Sequence, residues 1–203
     1  MRFILMAPPS KIALIIGSLI SVVLDQWSKS WAVETLLKGG GELPLNPRNI
    51  YGQTIEVSSW WNWQLVGNKG AAWGIFRDLP ETWRVPFFVL IGAFAMGVLL
   101  TLYFKSHGQK ILQIGLILVF GGAIGNLIDR VQIGYVIDFI DWHYGGYHWP
   151  TFNIADISIS VGVGFLFIDM IIQALNPPPE DDEENPESVN IEDDVPQTES
   201  SES

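Results

Sequence analysis

Gly121-Gly-Ala-Ile-Gly-Asn-Leu-Ile-Asp129-Arg130 closes one apolar run, and Phe152-Asn-Ile-Ala-Asp156-Ile-Ser-Ile-Ser160 opens the next. The first stretch carries no charge before Asp129. If both runs are membrane helices joined by one loop, they are antiparallel, and Asp129 and Asp156 lie at the same membrane face. Charged side chains within spans are costly and are candidates for function by default.

Composition agrees with a membrane protein. The 203 residues are 48% hydrophobic and only 16% charged, and the mean hydropathy is +0.27. There is no Cys, which excludes a disulfide framework, a thiol nucleophile and a Cys-based metal site. His107, His143 and His148 show no metal-ligand spacing, so no metal or cofactor is expected. The net charge of −11 comes from the end of the chain. Residues 177–203 hold eleven Asp/Glu and no Lys/Arg, while residues 1–176 balance eleven acids against eleven bases. The tail is too poor in apolar residues to fold, and a disordered extension is expected. Nucleic acid is not an expected partner.

Working outward, Ile111–Ile128 and Ile157–Leu175 flank the opening stretch as two spans. Val85–Phe104 is charge-free over twenty residues, about 30 Å as a helix, enough to cross the hydrocarbon core. Lys11–Trp31 is a fourth apolar segment. Arg2 and Lys11 precede it as in a signal peptide, but no small-x-small cleavage site follows, so a retained span is expected. Asp25 and Lys29 are four apart and can pair on one helix face, most simply at the membrane interface. Gly121 and Gly125 have the spacing that lets two helix backbones approach closely.

Residues 32–83 have another character. Gly39–Gly41 and Pro44–Pro47 break any helix. Thr54–Val57 and Trp61–Leu65 alternate with period two, as half-buried strands do. A small sheet on the membrane surface is expected here. Trp60, Trp61, Trp63, Trp73 and Trp83 crowd the segment. Trp favours the headgroup level, so they read as a membrane anchor or as a contact for a lipid-bearing substrate. The expected fold class is therefore an all-α polytopic membrane protein of four helices with a small sheet between the first two.

The loop Lys105–Lys110 holds two Lys in six residues, and residues 131–154 have none and no Arg. Short-loop positive charge marks the cytoplasmic side. Both termini are then cytoplasmic, while 32–83, 131–154, Asp25, Asp129 and Asp156 face outward. Asp169 is thirteen residues past Asp156, roughly 20 Å further along the helix, and is expected to lie away from the site. Asp138 and Asp141 are read as structural or solvated loop residues.

Two adjacent carboxylates share a proton, and such a pair can activate water while protonating a carbonyl oxygen. Spacing alone leaves other uses open: a proton relay in a carboxylate-dependent transporter, a pair lining an ion path, or a scaffold whose tail recruits partners.

Five segments together narrow this. Asp25-Gln26, Asn68-Lys-Gly-Ala-Ala-Trp-Gly-Ile-Phe76, Gly121–Arg130, Val136-Ile-Asp-Phe139 and Phe152–Asp156 resemble, in order, the motifs of the lipoprotein signal peptidases (signal peptidase II), over residues 12–175. The resemblance implies an aspartic endopeptidase of the bacterial inner membrane. Its substrates would be prolipoproteins already carrying diacylglyceryl, cleaved on the amino side of the lipidated cysteine. It also implies inhibition by globomycin-type cyclic peptides. Carried over by motif, Asp129 and Asp156 are the catalytic pair; Asn68, Gly70, Asn126, Arg130, Asn153 and Ala155 line or support the site, and Asp25 is a supporting position. Ile157 stands where the family usually has a small Ser, and residues 39–53 are an insert.

Overall fold

The computed structural model describes residues 8–37, 43, 52–70, 76 and 79–176. The tail, most of the insert and the 71–75 part of the Asn68 motif, with Trp73, lie outside them. Four helices are long and apolar enough to cross a membrane: α1 (Lys11–Leu36), α2 (Glu81–Lys105), α3 (Lys110–Ile133) and α4 (Ile154–Leu175). Large apolar side chains point outward along them, with Phe94, Leu90 and Ile12 about as exposed as they can be in a helix. In lipid that exposure costs nothing, because acyl chains are as apolar as Leu.

Each helix outruns its apolar core at the end near the carboxylates. α1 continues five residues beyond Trp31, and α3 five beyond Ile128. Asp129 therefore sits inside a helix, with a full turn after it. α3 ends at Gly134, whose φ of 80° forms a left-handed cap. α4 starts three residues earlier than the apolar pattern suggests. Asn153 caps it, accepting from the Asp156 N–H, while the Asp156 side chain accepts from the Asn153 N–H. That reciprocal capping box is written in the sequence Asn153-Ile-Ala-Asp156.

Between the helices lies a four-stranded antiparallel sheet in the order β1-β2-β3-β4. β1 (Ile55–Ser58) and β2 (Trp61–Asn68) fall where alternation placed them. β3 (Val136–Tyr144) and β4 (Tyr147–His148) come from the segment between α3 and α4, so the sheet is wider than expected and joins the segments that follow α1 and α3. Its signal was present: β-branched and aromatic residues over 136–144, then Gly145-Gly146 at φ of 57° and 84°, the both-positive geometry of a tight hairpin turn.

β3 is the inner strand. Residues 136–141 are all buried, and β2 pairs with it from Trp61–Trp142 to Asn68–Val136. Ala32, Leu36, Leu65, Tyr135, Ile137, Phe139 and Ile140 form the core between the last turns of α1 and the sheet. A second cluster of Leu14, Tyr103 and Leu116 closes the far end of the bundle. α1 and α3 cross closely. A Cβ on Gly121 would lie 2.9 Å from the Ser18 carbonyl, and one on Gly125 2.5 Å from Asp25 Oδ2. The Gly121/Gly125 spacing thus serves helix contact, and it also makes room for a charge.

Candidate active site

The charge is a buried knot. Lys29 and Asp25, one turn apart on α1, are 2.8 Å apart and almost wholly buried. The pairing expected at the interface is made, but inside the protein. Lys29 Nζ also lies 2.9 Å from Asp129 Oδ2 on α3. Asp129 accepts further from Gln26 Nε2 at 2.9 Å and from the Ile137 N–H at 3.0 Å. Asp25 accepts from the Ala155 N–H at 2.9 Å. Two carboxylates and one ammonium therefore tie α1 to α3, to β3 and to the start of α4. Ala155 takes part through its backbone. A buried charge of this kind is tolerable only when paired and hydrogen-bonded throughout.

Asp156 belongs to a neighbouring network. It accepts from Asn126 Nδ2 at 2.8 Å and from the Asn153 N–H at 3.2 Å. Asn126 Oδ1 accepts from Lys29 Nζ at 3.0 Å and from Asn153 Nδ2 at 3.0 Å. Among these contacts Asp129 and Asp156 do not meet; the link between them runs through Lys29 and Asn126. The direct pairing of Asp129 with Asp156 expected from the sequence is not what the geometry presents, because Lys29 occupies the Asp129 carboxylate.

Asp156 faces another carboxylate, Asp138 of β3. Asn153 joins the two: its backbone N–H donates to Asp156, and its Nδ2 donates to Asp138 Oδ1 at 2.7 Å. Burial holds the Asp138 proton affinity well above the usual carboxylate range, and the charge of Asp156 raises it further; the Asn68 amide, the Lys29 charge and the Asn153 amide oppose the shift. Asn68 Oδ1 accepts from the Gly70 N–H at 2.9 Å, which leaves the Asn68 NH₂ for Asp138. Asp138 is 2% exposed, so it is not a solvated loop residue. The reason it was passed over is β3: read as a loop, residues 131–154 gave no ground for burying an Asp.

Arg130 ties the remaining pieces. Its guanidinium donates to the Gly70 carbonyl at 2.9 Å and to the Asn126 carbonyl at 3.2 Å, and it lies 4.7 Å over the Phe88 ring of α2. It thus holds the Asn68–Gly70 turn against α3. Asp141, read as structural or solvated, is fully buried. It accepts from Asn62 at 3.0 Å and contacts His148 Nδ1 at 2.9 Å, binding β2 to β4. Asp169 hydrogen-bonds Gln173 within α4; no contact joins it to the site residues described. Lys29 and Gln26 are additions to the site; the i,i+4 relation to Asp25 and the Asp25-Gln26 motif pointed to α1, but not to their partners on α3.

The fold and site together define a polytopic membrane protein with an acid–base centre where its helices meet a small sheet. A sequence model described as signal peptidase (SPase) II matches residues 17–172. The chain is 41% identical over 181 residues to a lipoprotein signal peptidase of Anaeromyxobacter sp. (strain Fw109-5), covering 79% of this chain and 86% of that one. It is 42% identical over 143 residues to that of Janthinobacterium sp. (strain Marseille), covering 70% and 86%. A solved bacterial membrane enzyme superposes with a TM-score of 0.69 at 30% identity, covering 86% of this chain and 98% of that one. The chain belongs to the signal peptidase II family. It is a peptidase with four membrane-spanning helices, of the bacterial inner-membrane class, and the transporter reading that spacing left open is not favoured.

Proposed function

We propose that the protein is an aspartic endopeptidase that removes signal peptides from prolipoproteins, with Asp138 and Asp156 as its working pair. The observation that carries this is Asn153, which contacts both carboxylates while Asp129 is saturated by Lys29, Gln26 and the Ile137 N–H. In this reading Asp156 sits in the first turn of α4, where the helix end favours negative charge, and it receives N–H donors as an acceptor. It takes a proton from a water that attacks the scissile carbonyl. Asp138, the proton-holding partner, gives its proton to the carbonyl oxygen. Collapse of the resulting diol passes a proton to the departing amine and restores the pair. Asn126, Asn153 and Asn68 fix the carboxylates, and Arg130 holds the Asn68–Gly70 turn.

The pair lies where the apolar helices meet the sheet, and Trp60, Trp142, Tyr144 and Trp149, on β3 and beside the strand ends, are exposed. This setting suits a scissile bond held at the height where acyl chains meet headgroups. It supports a diacylglyceryl-modified substrate cleaved on the amino side of the lipidated cysteine, and inhibition by globomycin-type cyclic peptides. The charge pattern of the loops supports an outward-facing site with both termini cytoplasmic. The test is cleavage of a diacylglycerylated prolipoprotein peptide by the purified protein and by its Asp138→Asn, Asp156→Asn and Asp129→Asn variants. Near wild-type turnover in Asp138→Asn, with loss in folded Asp129→Asn, would return the pair to Asp129 and Asp156.

A further inference from the structure

Lys29 takes no direct part in the hydrolysis described above, yet it is the most completely engaged cation of the site. Its ammonium has three donors and three acceptors: Asp25 at 2.8 Å, Asp129 at 2.9 Å and Asn126 Oδ1 at 3.0 Å. The first two contacts neutralise charge. The third has a directional consequence. Asn126 Oδ1 faces only donors, the Lys29 ammonium and Asn153 Nδ2, so its NH₂ is turned toward Asp156. A flipped amide would set an NH₂ against an ammonium and a second NH₂, and its oxygen against a carboxylate. Lys is a donor with no acceptor capacity, so it admits one orientation of Asn126 and no other.

We propose that Lys29 is a positioning residue for peptide hydrolysis: by locking the Asn126 amide it makes Asp156 the water-activating carboxylate and leaves the proton of the pair on Asp138. This rests on the Asp138/Asp156 reading of the site. It gives the buried knot a purpose beyond joining helices. Asp25 and Asp129 hold Lys29 in place, Lys29 orients Asn126, and Asn126 supplies one of the two N–H donors on Asp156. The two catalytic carboxylates thereby differ by construction, although both are aspartates in contact with Asn153.

The experiment uses the full-length protein in nanodiscs and a diacylglycerylated prolipoprotein peptide. Two variants interrupt the relay at different points. Lys29→Met/Asp129→Asn removes an ion pair together. Asn126→Asp keeps an acceptor toward Lys29 but deletes the donor toward Asp156. In both, kcat falls about 10- to 100-fold, the scale seen when a group that orients a functional residue is removed, while KM stays within about 3-fold. The acid limb of kcat against pH moves to higher pH in both, a change that loosened structure alone would not produce. Lys29→Arg, which restores charge and donors, recovers part of the loss. A folded variant of either kind with wild-type kcat and an unmoved acid limb overturns the proposal. If the Lys29 variant lacks structure by circular dichroism, Asn126→Asp decides alone. Failure of the wild type to cleave, or full turnover by Asp156→Asn, would instead sink the peptidase reading of the site, and with it the part assigned to Lys29.

Discussion

Two sets of carboxylates lie side by side in this protein, separated by one amide: Asp25, Asp129 and Asp138 are buried and Asp156 is half-buried. Asp25 and Asp129 flank an ammonium, and every contact described for them comes from a donor. Asp138 and Asp156 are contacted by amides and face each other, with the nearest full positive charges held elsewhere: Lys29 by the knot, and Arg130 by backbone carbonyls and Phe88. The difference teaches how to read a buried acid. One that is paired and saturated holds elements together; one whose charge is opposed by burial and by a neighbouring carboxylate is a candidate for chemistry.

The largest effect that would break this comparison is on turnover. Asp138→Asn preserves shape and hydrogen bonding but cannot transfer a proton. General acid–base groups contribute about 10²- to 10⁴-fold, so kcat in the peptide-cleavage assay is expected to fall by about that factor with the circular dichroism spectrum unchanged. Retained turnover would show that the proton on Asp138 is incidental.

The second effect is on stability and has the opposite distribution. Asp129→Ala leaves Lys29 with one carboxylate in place of two and unties the Ile137 N–H. Breaking a buried pair by removing one partner costs about 3–5 kcal/mol. Thermal unfolding in detergent should show a large drop for Asp129→Ala and a small change, or a gain, for Asp138→Asn. Equal losses would mean that both carboxylates are structural.

How far the sequence disclosed this follows from the range of each interaction. The four helices were legible because charge-free runs of about twenty residues have few alternatives, and β1 and β2 because alternation is local. The Asp25–Lys29 pair was legible for the same reason; the capping box at Asn153, although equally local, was not read. β3 was missed although its residues favour a strand, since its partner β2 lies nearly seventy residues earlier. The proposed exchange of Asp129 for Asp138 has the same origin. Which carboxylate Lys29 neutralises depends on the α1–α3 crossing that Gly121 and Gly125 permit, and no spacing within α3 encodes it.

A third consequence concerns pH. The unfolded chain releases the Asp138 proton in the ordinary carboxylate range, whereas the folded chain keeps it to higher pH, chiefly through burial. Between those limits the folded state binds more protons, so this residue makes stability fall as pH rises, and the penalty is absent below the window. The slope of melting temperature against pH should therefore become less negative in Asp138→Asn than in wild type. An unchanged slope would place the proton on another group.

The smallest expected effect lies away from the pair, at another buried carboxylate. Asp141 resembles Asp129 in being buried and bonded, to Asn62 and His148, but its ionisable partner is half in water, the His148 side chain being 53% exposed. An ion pair with one solvated member contributes about 0–1 kcal/mol and is screened by salt. His148→Ala should therefore lower the melting temperature only slightly, by an amount that shrinks on adding salt, and should leave kcat unchanged. A loss as large as that of Asp129→Ala would show that burial of the carboxylate alone sets the cost. A small, salt-sensitive loss would show that burial of the partner does, which is the property that separates the Lys29 knot from every other ion pair described here.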